Sequence, residues 1–186
     1  MDTSSDKPKK LKREYDENFV VTPEYRKSLP DIQNSGSEGM EGAHVPILQV
    51  GISGFRLPMQ FVGPDGESLN IETKITGTVS LDADKKGINM SRIIRIFYEY
   101  KNEVFSPEIL GKILRHYKDR LDSQEARIKA DFSYPMVQQS LRSGLEGYQY
   151  YGCSFEGLID RADRVRKIIH FDFVYSSACP CASELS

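Results

Sequence analysis

The 186 residues predict an α+β domain in which two helices pack on one face of an antiparallel sheet. Three observations carry that expectation: a stretch of strand-period alternation, two neighbouring stretches of helical period, and then alternation again.

In the first stretch, apolar side chains take the odd positions Phe55, Leu57, Met59, Phe61, then Leu69, Ile71, Ile75, Val79 and Leu81. Polar residues from Asn70 to Ser80 fill the even positions between them, the period of a strand with one wet face. Two antiparallel strands follow, joined at Gly63-Pro-Asp-Gly66, where Pro presets φ and Gly accepts a positive φ. Met90, Ile93, Ile94 and Phe97 then recur at i, i+3, i+4 and i+7, and predict an amphipathic helix. Ser106-Pro107 supplies an N-cap and a first-turn proline for a second helix, with Leu110, Ile113, Leu114, Tyr117 and Leu121 on its apolar stripe. Alternation resumes through Ala126, Ile128, Ala130 and Phe132, through Leu145, Tyr151, Cys153, Phe155 and Ile159, and through Val165, Ile169, Phe171, Phe173 and Tyr175. The stretch Asp160-Arg-Ala-Asp163 turns the last two strands back on each other.

Residues 1–43 are polar, mixed in charge and sprinkled with Ser and Gly, and hold too little apolar surface to offset the entropy of ordering. They are expected to form a mostly flexible tail, with a docked arm at 29–35, and residues 44–186 to form the folded module. Lys and Arg total 25 against 27 Asp and Glu, so the net charge of −2 offers no overall attraction to nucleic acid or to an anionic membrane. No apolar run reaches the roughly 18–20 residues of a membrane span, and the first 40 residues carry no secretory-signal pattern, so the cytoplasm is the expected address.

Three cysteines are too few for a disulfide framework, and the three histidines, His44, His116 and His170, strain any mechanism needing several imidazole ligands. The most reactive text is the ending Cys179-Pro-Cys181-Ala-Ser-Glu184. A thiol just past a buried strand, followed by Pro, is placed to act as nucleophile or metal ligand once its pKa is lowered. Cys-x-Cys alone is a weak signal, better fitted on spacing by two ordinary thiols near a terminus, and lacks the second ligand pair of a structural zinc site. Cys153 falls on the apolar face of its strand and reads as core.

Lys85, Lys86 and Arg92 stand at the start of the first amphipathic helix, a place suited either to an anion or to a solvated cap. His170, near Asp172, fits a base or, more plainly, a surface cross-strand pair. Tyr148, Tyr150 and Tyr151 fit base stacking or packing; His44 and His116 receive no role.

Taken together, Leu29-Pro-Asp-Ile-Gln-Asn, Gln49-Val-Gly-Ile-Ser-Gly-Phe-Arg-Leu-Pro58, Lys86-Gly-Ile-Asn-Met-Ser-Arg92 and Cys179-Pro-Cys-Ala-Ser-Glu-Leu-Ser186 resemble, in order and spacing, the type IB GTP cyclohydrolases. The resemblance implies the tunnelling fold, with its ββααββ unit, and a homo-oligomer. It also implies hydrolysis of the GTP imidazole ring to formate and 7,8-dihydroneopterin triphosphate, the entry to folate and related pterins. Cys179 would then be the catalytically important thiol and a ligand to a divalent metal, zinc or manganese-like. Members of that family continue past this motif into a second module that supplies further metal ligands and a guanine-anchoring carboxylate. Many carry His where Asn89 stands, so no His role is transferred to that helix. A non-catalytic oligomerising module and another purine or pterin enzyme of the same fold, such as a nitrile reductase, are the competing expectations.

Overall fold

The first strand changes phase in its middle, and Gly54 is the reason. In the computed structural model, which describes residues 20–28, 45–85 and 87–175, β1 (Ile47–Val62) pairs with β2 (Ser68–Leu81) as Val50↔Val79 and Ile52↔Gly77, then as Phe55↔Ile75. Ser53 and Gly54 together stand opposite Thr76, whose hydroxyl accepts from the Gly54 amide at 3.3 Å. Gly54 has φ +71°, the left-handed value that a bulge of this kind requires and that glycine adopts without strain. The extra residue lets even-numbered Val50 and Ile52 and odd-numbered Phe55, Leu57, Met59 and Phe61 share one face.

β2 is followed by α2 (Met90–Glu99) and α3 (Pro107–Arg120), and then by β3 (Ala126–Gln139), β4 (Glu146–Ile159) and β5 (Val165–Phe171). The sheet runs in the order β1-β2-β3-β4-β5 with every neighbouring pair antiparallel, so the described chain is an α+β fold with five strands. The turn chemistry read at 63–66 is realised: the Gly66 amide donates to the Gly63 carbonyl at 3.0 Å, and Gly66 takes φ +81°.

Both helices cover the face of odd-numbered β2 residues. α3 begins as expected, with the Ser106 hydroxyl accepting from the Ile109 amide at 3.4 Å and Pro107 in the first turn. Its buried stripe of Leu110, Ile113, Leu114 and Tyr117 is the expected one. The stripe of α2 is shifted: Ile93, Ile96 and Phe97 are buried, while Met90 is exposed and Ile94 only half-buried. Ile96 faces the sheet because Tyr100, just beyond the helix, continues the same side and is itself buried. At one end of the core Phe61 sits among Phe105, Phe132 and Phe155 at ring separations of 5.8, 4.4 and 6.2 Å. The loop between the helices is tied down there by the Phe105 amide donating to the Gln60 carbonyl.

β5 ends at Phe171, short of the expected Tyr175, and Phe173 and Tyr175 follow it outside the ladder, the Phe173 ring stacked on Phe171 at 5.8 Å and tilted against Tyr175 at 5.9 Å. The strand is an edge, exposed along nearly all its length, not the buried strand expected ahead of the cysteine motif. An edge strand has one neighbour in the sheet to shield it, and α3 reaches it at Val165 and Lys167.

The β4–β5 turn is held by Asp160, whose Oδ1 accepts from the amides of Ala162 at 2.9 Å and Arg164 at 3.0 Å. The Arg164 amide, ahead of its guanidinium and the Ala162 amide, keeps this carboxyl below its ordinary range. A depressed folded pKa means that the contribution of the turn is present above the unfolded value and is lost as pH falls through the folded one. Hydrogen-exchange protection of the Ala162 and Arg164 amides, corrected for intrinsic rates, is therefore expected to drop below about pH 4 while β3 stays protected. Equal protection of the turn in acid and at neutrality would contradict this.

A separate unit, Met1–Asp31, contains the short helix α1 (Pro23–Ser28), capped by the Thr22 hydroxyl accepting from the Tyr25 amide at 3.1 Å. The docked arm expected at 29–35 lies outside the described residues.

Candidate functional site

The face of the sheet turned away from the helices is polar, and its side chains fall into rows set by the strand register. Arg56, Lys74, Asp131, Ser154 and His170 are successive cross-strand partners, one from each of the five strands. The next row brings Thr76, Lys129, Glu156 and Ile168 together. Opposite charges pair within and between the rows: Arg56 with Glu72 at 2.7 Å and Lys129 with Asp131 at 2.9 Å. In the middle the side chains shorten to Ser133, Gly152 and Ser154, and a trough of about 860 Å³ opens over them.

Glu156 is the buried charge of this face, its side chain 10% exposed. Its Oε1 accepts from Arg127 Nε at 2.9 Å and Nη2 at 2.7 Å, and its Oε2 from His170 Nε2 at 3.1 Å. A carboxylate taken out of water keeps its charge only when its lone pairs are filled in this way. The result joins β3, β4 and β5 by side chains alone. His170 is thus a cross-strand partner, as one of its two sequence readings had it, but of Glu156 and not of nearby Asp172. Glu156 was missed because it stands 14 residues from His170 and 29 from Arg127, and only the register brings them together.

Cys153 packs against the core from β4, and burial, followed by the charge of Asp172, pushes its thiol up, away from the lowered value a nucleophile or ligand needs. His116 Nδ1 lies 2.9 Å from the Tyr100 hydroxyl, a packing role. Tyr151 points to one face of the β3–β4 hairpin, where its hydroxyl accepts from Gln138 Nε2 at 2.7 Å. Tyr148 and Tyr150 stand exposed on the other, outside the core that was one of their expected places.

The start of α2 gives little support to an anion there. Lys85 is engaged by the Asp122 carboxylate at 2.6 Å, by the Asp122 carbonyl and by Asp82, and Arg92 donates to the Arg120 carbonyl at 3.0 Å. Asn89 caps the helix by position without a side-chain bond to its amides.

Cys179 and Cys181, like His44 and Lys86, lie outside the described residues. Among the described residues no group of three or more His, Cys, Asp or Glu side chains is arranged to hold a metal ion. They therefore do not by themselves supply the metal site that the resemblance implies. No described helix is long and apolar enough to cross a membrane.

The family model described as type I GTP cyclohydrolase folE2 matches residues 29–186. GTP cyclohydrolase FolE2 of Ruegeria pomeroyi is 52% identical over 176 residues, 95% of this chain and 48% of the relative. FolE2 of Ruegeria sp. strain TM1040 is 51% identical over the same shares. FolE2 of Paracoccus denitrificans, also 51% identical over 176 residues, is covered to 54%. The chain spans about half the length of the curated relatives it matches. A match over residues 29–186, a range that takes in all five described strands, α2, α3 and the Cys-Pro-Cys ending, settles the kinship: this chain belongs to the type I GTP cyclohydrolase folE2 family.

Proposed function

We propose that this chain is the first module of a GTP cyclohydrolase of the IB subclass, opening the imidazole ring of GTP to give formate and 7,8-dihydroneopterin triphosphate. The observation that supports this is the identity of about one residue in two, over 95% of the chain, to proteins named GTP cyclohydrolase FolE2. The observed order of two strands, two helices and further strands is consistent with the ββααββ unit of the tunnelling fold, and we assign the chain to it.

Cys179 is assigned the catalytic role and a place in the coordination of a divalent metal, zinc or manganese-like. One thiolate does not hold a catalytic ion against water, so the remaining ligands belong to sequence that the relatives have and this chain does not span. The two edges of the sheet, β1 and β5, which have one strand neighbour each among the described residues, and the exposed apolar side chains of Phe171, Phe173 and Val174 support a homo-oligomer or a second module as neighbour. GTP is the substrate partner, nucleic acid and membrane are not, and the cytoplasm is the place of action.

The longest natural form of the protein, incubated with GTP and a divalent metal, is expected to yield a pterin that fluoresces after oxidation. Cys179→Ala is expected to lower that turnover by at least about a hundredfold with the thermal midpoint unchanged, since even partners of metal ligands cost 10–100-fold when removed. Wild-type turnover in the variant would overturn the assignment, and loss of folding would make Cys179 structural. A second reading, a non-catalytic assembly module, is supported by the exposed apolar side chains of Phe171, Phe173 and Val174. Such a module would form a defined oligomer and bind neither metal nor GTP in equilibrium dialysis.

A further inference from the structure

Beyond the rest of the sheet, β3 and β4 run on alone as a two-stranded ribbon. The pairing of β2 with β3 stops at Phe132 and that of β5 with β4 at Cys153, whereas β3 and β4 stay paired from Ser133↔Gly152 to Gln139↔Glu146. The ribbon projects by roughly 20 Å at the rise of an antiparallel strand. Every residue from Met136 to Tyr150 is exposed. Two strands standing free in water are marginally stable at best, and an exposed edge is ordinarily guarded by charge or by proline. Between Ser133 and Gly152 the charged residues are Arg142 and Glu146, in a chain that is 28% charged as a whole, and the proline is Pro135 of β3.

The two edges of the ribbon are unequal. The Asp172 amide donates to the Gly152 carbonyl at 2.8 Å, so the main-chain groups of Gly152 turn toward β5 and away from β3. In an antiparallel ladder that sense alternates, and Tyr150, Tyr148 and Glu146 therefore point their N–H and C=O the same way, along the side that β5 vacates. The Ser140 amide, donating to the Leu145 carbonyl at 2.9 Å across the end of the hairpin, sets the same phase. On β3 the outward groups are those of Ser133, Pro135, Val137 and Gln139, and Pro135 has no N–H to offer, so a strand added there meets a gap. On β4 the row from Glu146 to Tyr150 has no such gap and no second strand neighbour among the described residues, since Phe173 and Tyr175 follow β5 outside the ladder.

We propose that a second copy of this chain adds its own β4 to this edge, antiparallel and two-fold about Tyr148, joining two ribbons into one four-stranded sheet in the order β3-β4-β4-β3. Antiparallel pairing of an edge with itself is closed and self-complementary, so a copy supplies the matching row of main-chain groups without any further adaptation. In this register Tyr148 faces its own counterpart and Glu146 faces Tyr150, so no like charges meet. Pro135, Val137, Tyr148 and Tyr150 share one face of the ribbon, with Val137 and both tyrosines exposed, and the pairing doubles that apolar strip. The inference deepens the homo-oligomer proposed above by giving it a contact, and it is independent of Cys179.

The test is the mass of the full 186-residue chain in solution, by sedimentation, together with amide hydrogen exchange. The wild-type chain is expected to form an even-numbered oligomer. Tyr148→Pro deletes one outward N–H and leaves the bonds to β3 in place, and is expected to halve that mass with the thermal midpoint held. Val137→Pro, the same change on the opposite edge, is expected to leave the mass as it was. In the unsubstituted chain the amides of Tyr148 and Tyr150 are expected to exchange at least about tenfold more slowly at high than at low protein concentration, while those of Val137 and Gln139 exchange alike at both. The exchange result decides by itself if Tyr148→Pro unfolds. Full mass in Tyr148→Pro, halved mass in Val137→Pro, or equal protection of both edges would overturn the contact and leave a homo-oligomer built through β1 and β5 standing. A chain that stays monomeric at every concentration would overturn both. Failure to turn over GTP bears on the chemistry assigned to Cys179 and leaves this result untouched.

Discussion

Phe97→Ala is expected to lower the stability of the domain by about 3–5 kcal/mol, the range for truncating a fully buried aromatic side chain. Phe97 is wholly inaccessible to solvent, and its ring meets Phe55 of β1 edge-on at 5.6 Å and Tyr117 of α3 edge-on at 6.0 Å. It is therefore the point where both helices and the first strand touch one side chain. The cavity left behind would have a rigid sheet on one side and α3 on the other, so collapse is restricted and the cost should fall in the upper part of the range. For a domain of this size the thermal midpoint should drop by about 10 °C or more. Met90→Ala, at the exposed end of the same helix, is expected to change it by less than about 0.5 kcal/mol. If both substitutions cost the same, the stripe described for α2 is wrong.

Gly77→Ala is expected to destabilise by about 1–3 kcal/mol through overpacking, and Tyr117→Phe is expected to recover part of that loss. A Cβ at residue 77 would lie 2.7 Å from the Tyr117 hydroxyl, which donates at 3.1 Å to the Ile93 carbonyl in the interior. Burial pushes the Tyr117 phenol far up, so it keeps the proton that it donates to the Ile93 carbonyl. Removing the hydroxyl alone should cost about 1 kcal/mol, because it strips the Ile93 carbonyl of this partner. Removing it alongside Gly77→Ala relieves the tightest contact of the new methyl and leaves those with Tyr117 Cε2 at 3.0 Å and Ile93 Cγ2 at 3.2 Å. Denaturant melts of the two single variants and the double are expected to show less than additive loss, with a coupling of about 1 kcal/mol. Strict additivity would mean that the strand moves away from α3 and the contact is not rigid.

Much of the fold was legible because burial on one face writes a period into the sequence. The odd positions of β2 are buried as read, the cap at Ser106 is a cap, and the turn at Gly66 uses a positive φ. Where only a few residues carried the period, it misled: in ten-residue α2, Ile94 and Ile96 compete for one stripe, and Tyr100 beyond the helix decides between them. The site was less legible, for a different reason. Arg127, Glu156 and His170 come from three strands, and their meeting depends on a pairing register that local composition does not encode. The trough owes its existence to short side chains at residues 133, 152 and 154, where small polar residues look like ordinary strand surface. The cysteine motif was conspicuous for the opposite reason, since its signal is chemical and close-set along the chain.

Gly54 has a further consequence for the first strand. With one supernumerary residue held there, the two halves of the strand keep separate counts: adding or deleting a single position at that point would turn Val50 and Ile52 toward water while leaving Leu57, Met59 and Phe61 where they are. Length changes upstream of Gly54 are thus insulated from the packing downstream. The segment ahead of the kink, which includes the Gln49-Val-Gly motif, contributes Val50 and Ile52 to the hydrocarbon layer beneath the helices, so a change of count there removes those two side chains and spares the rest.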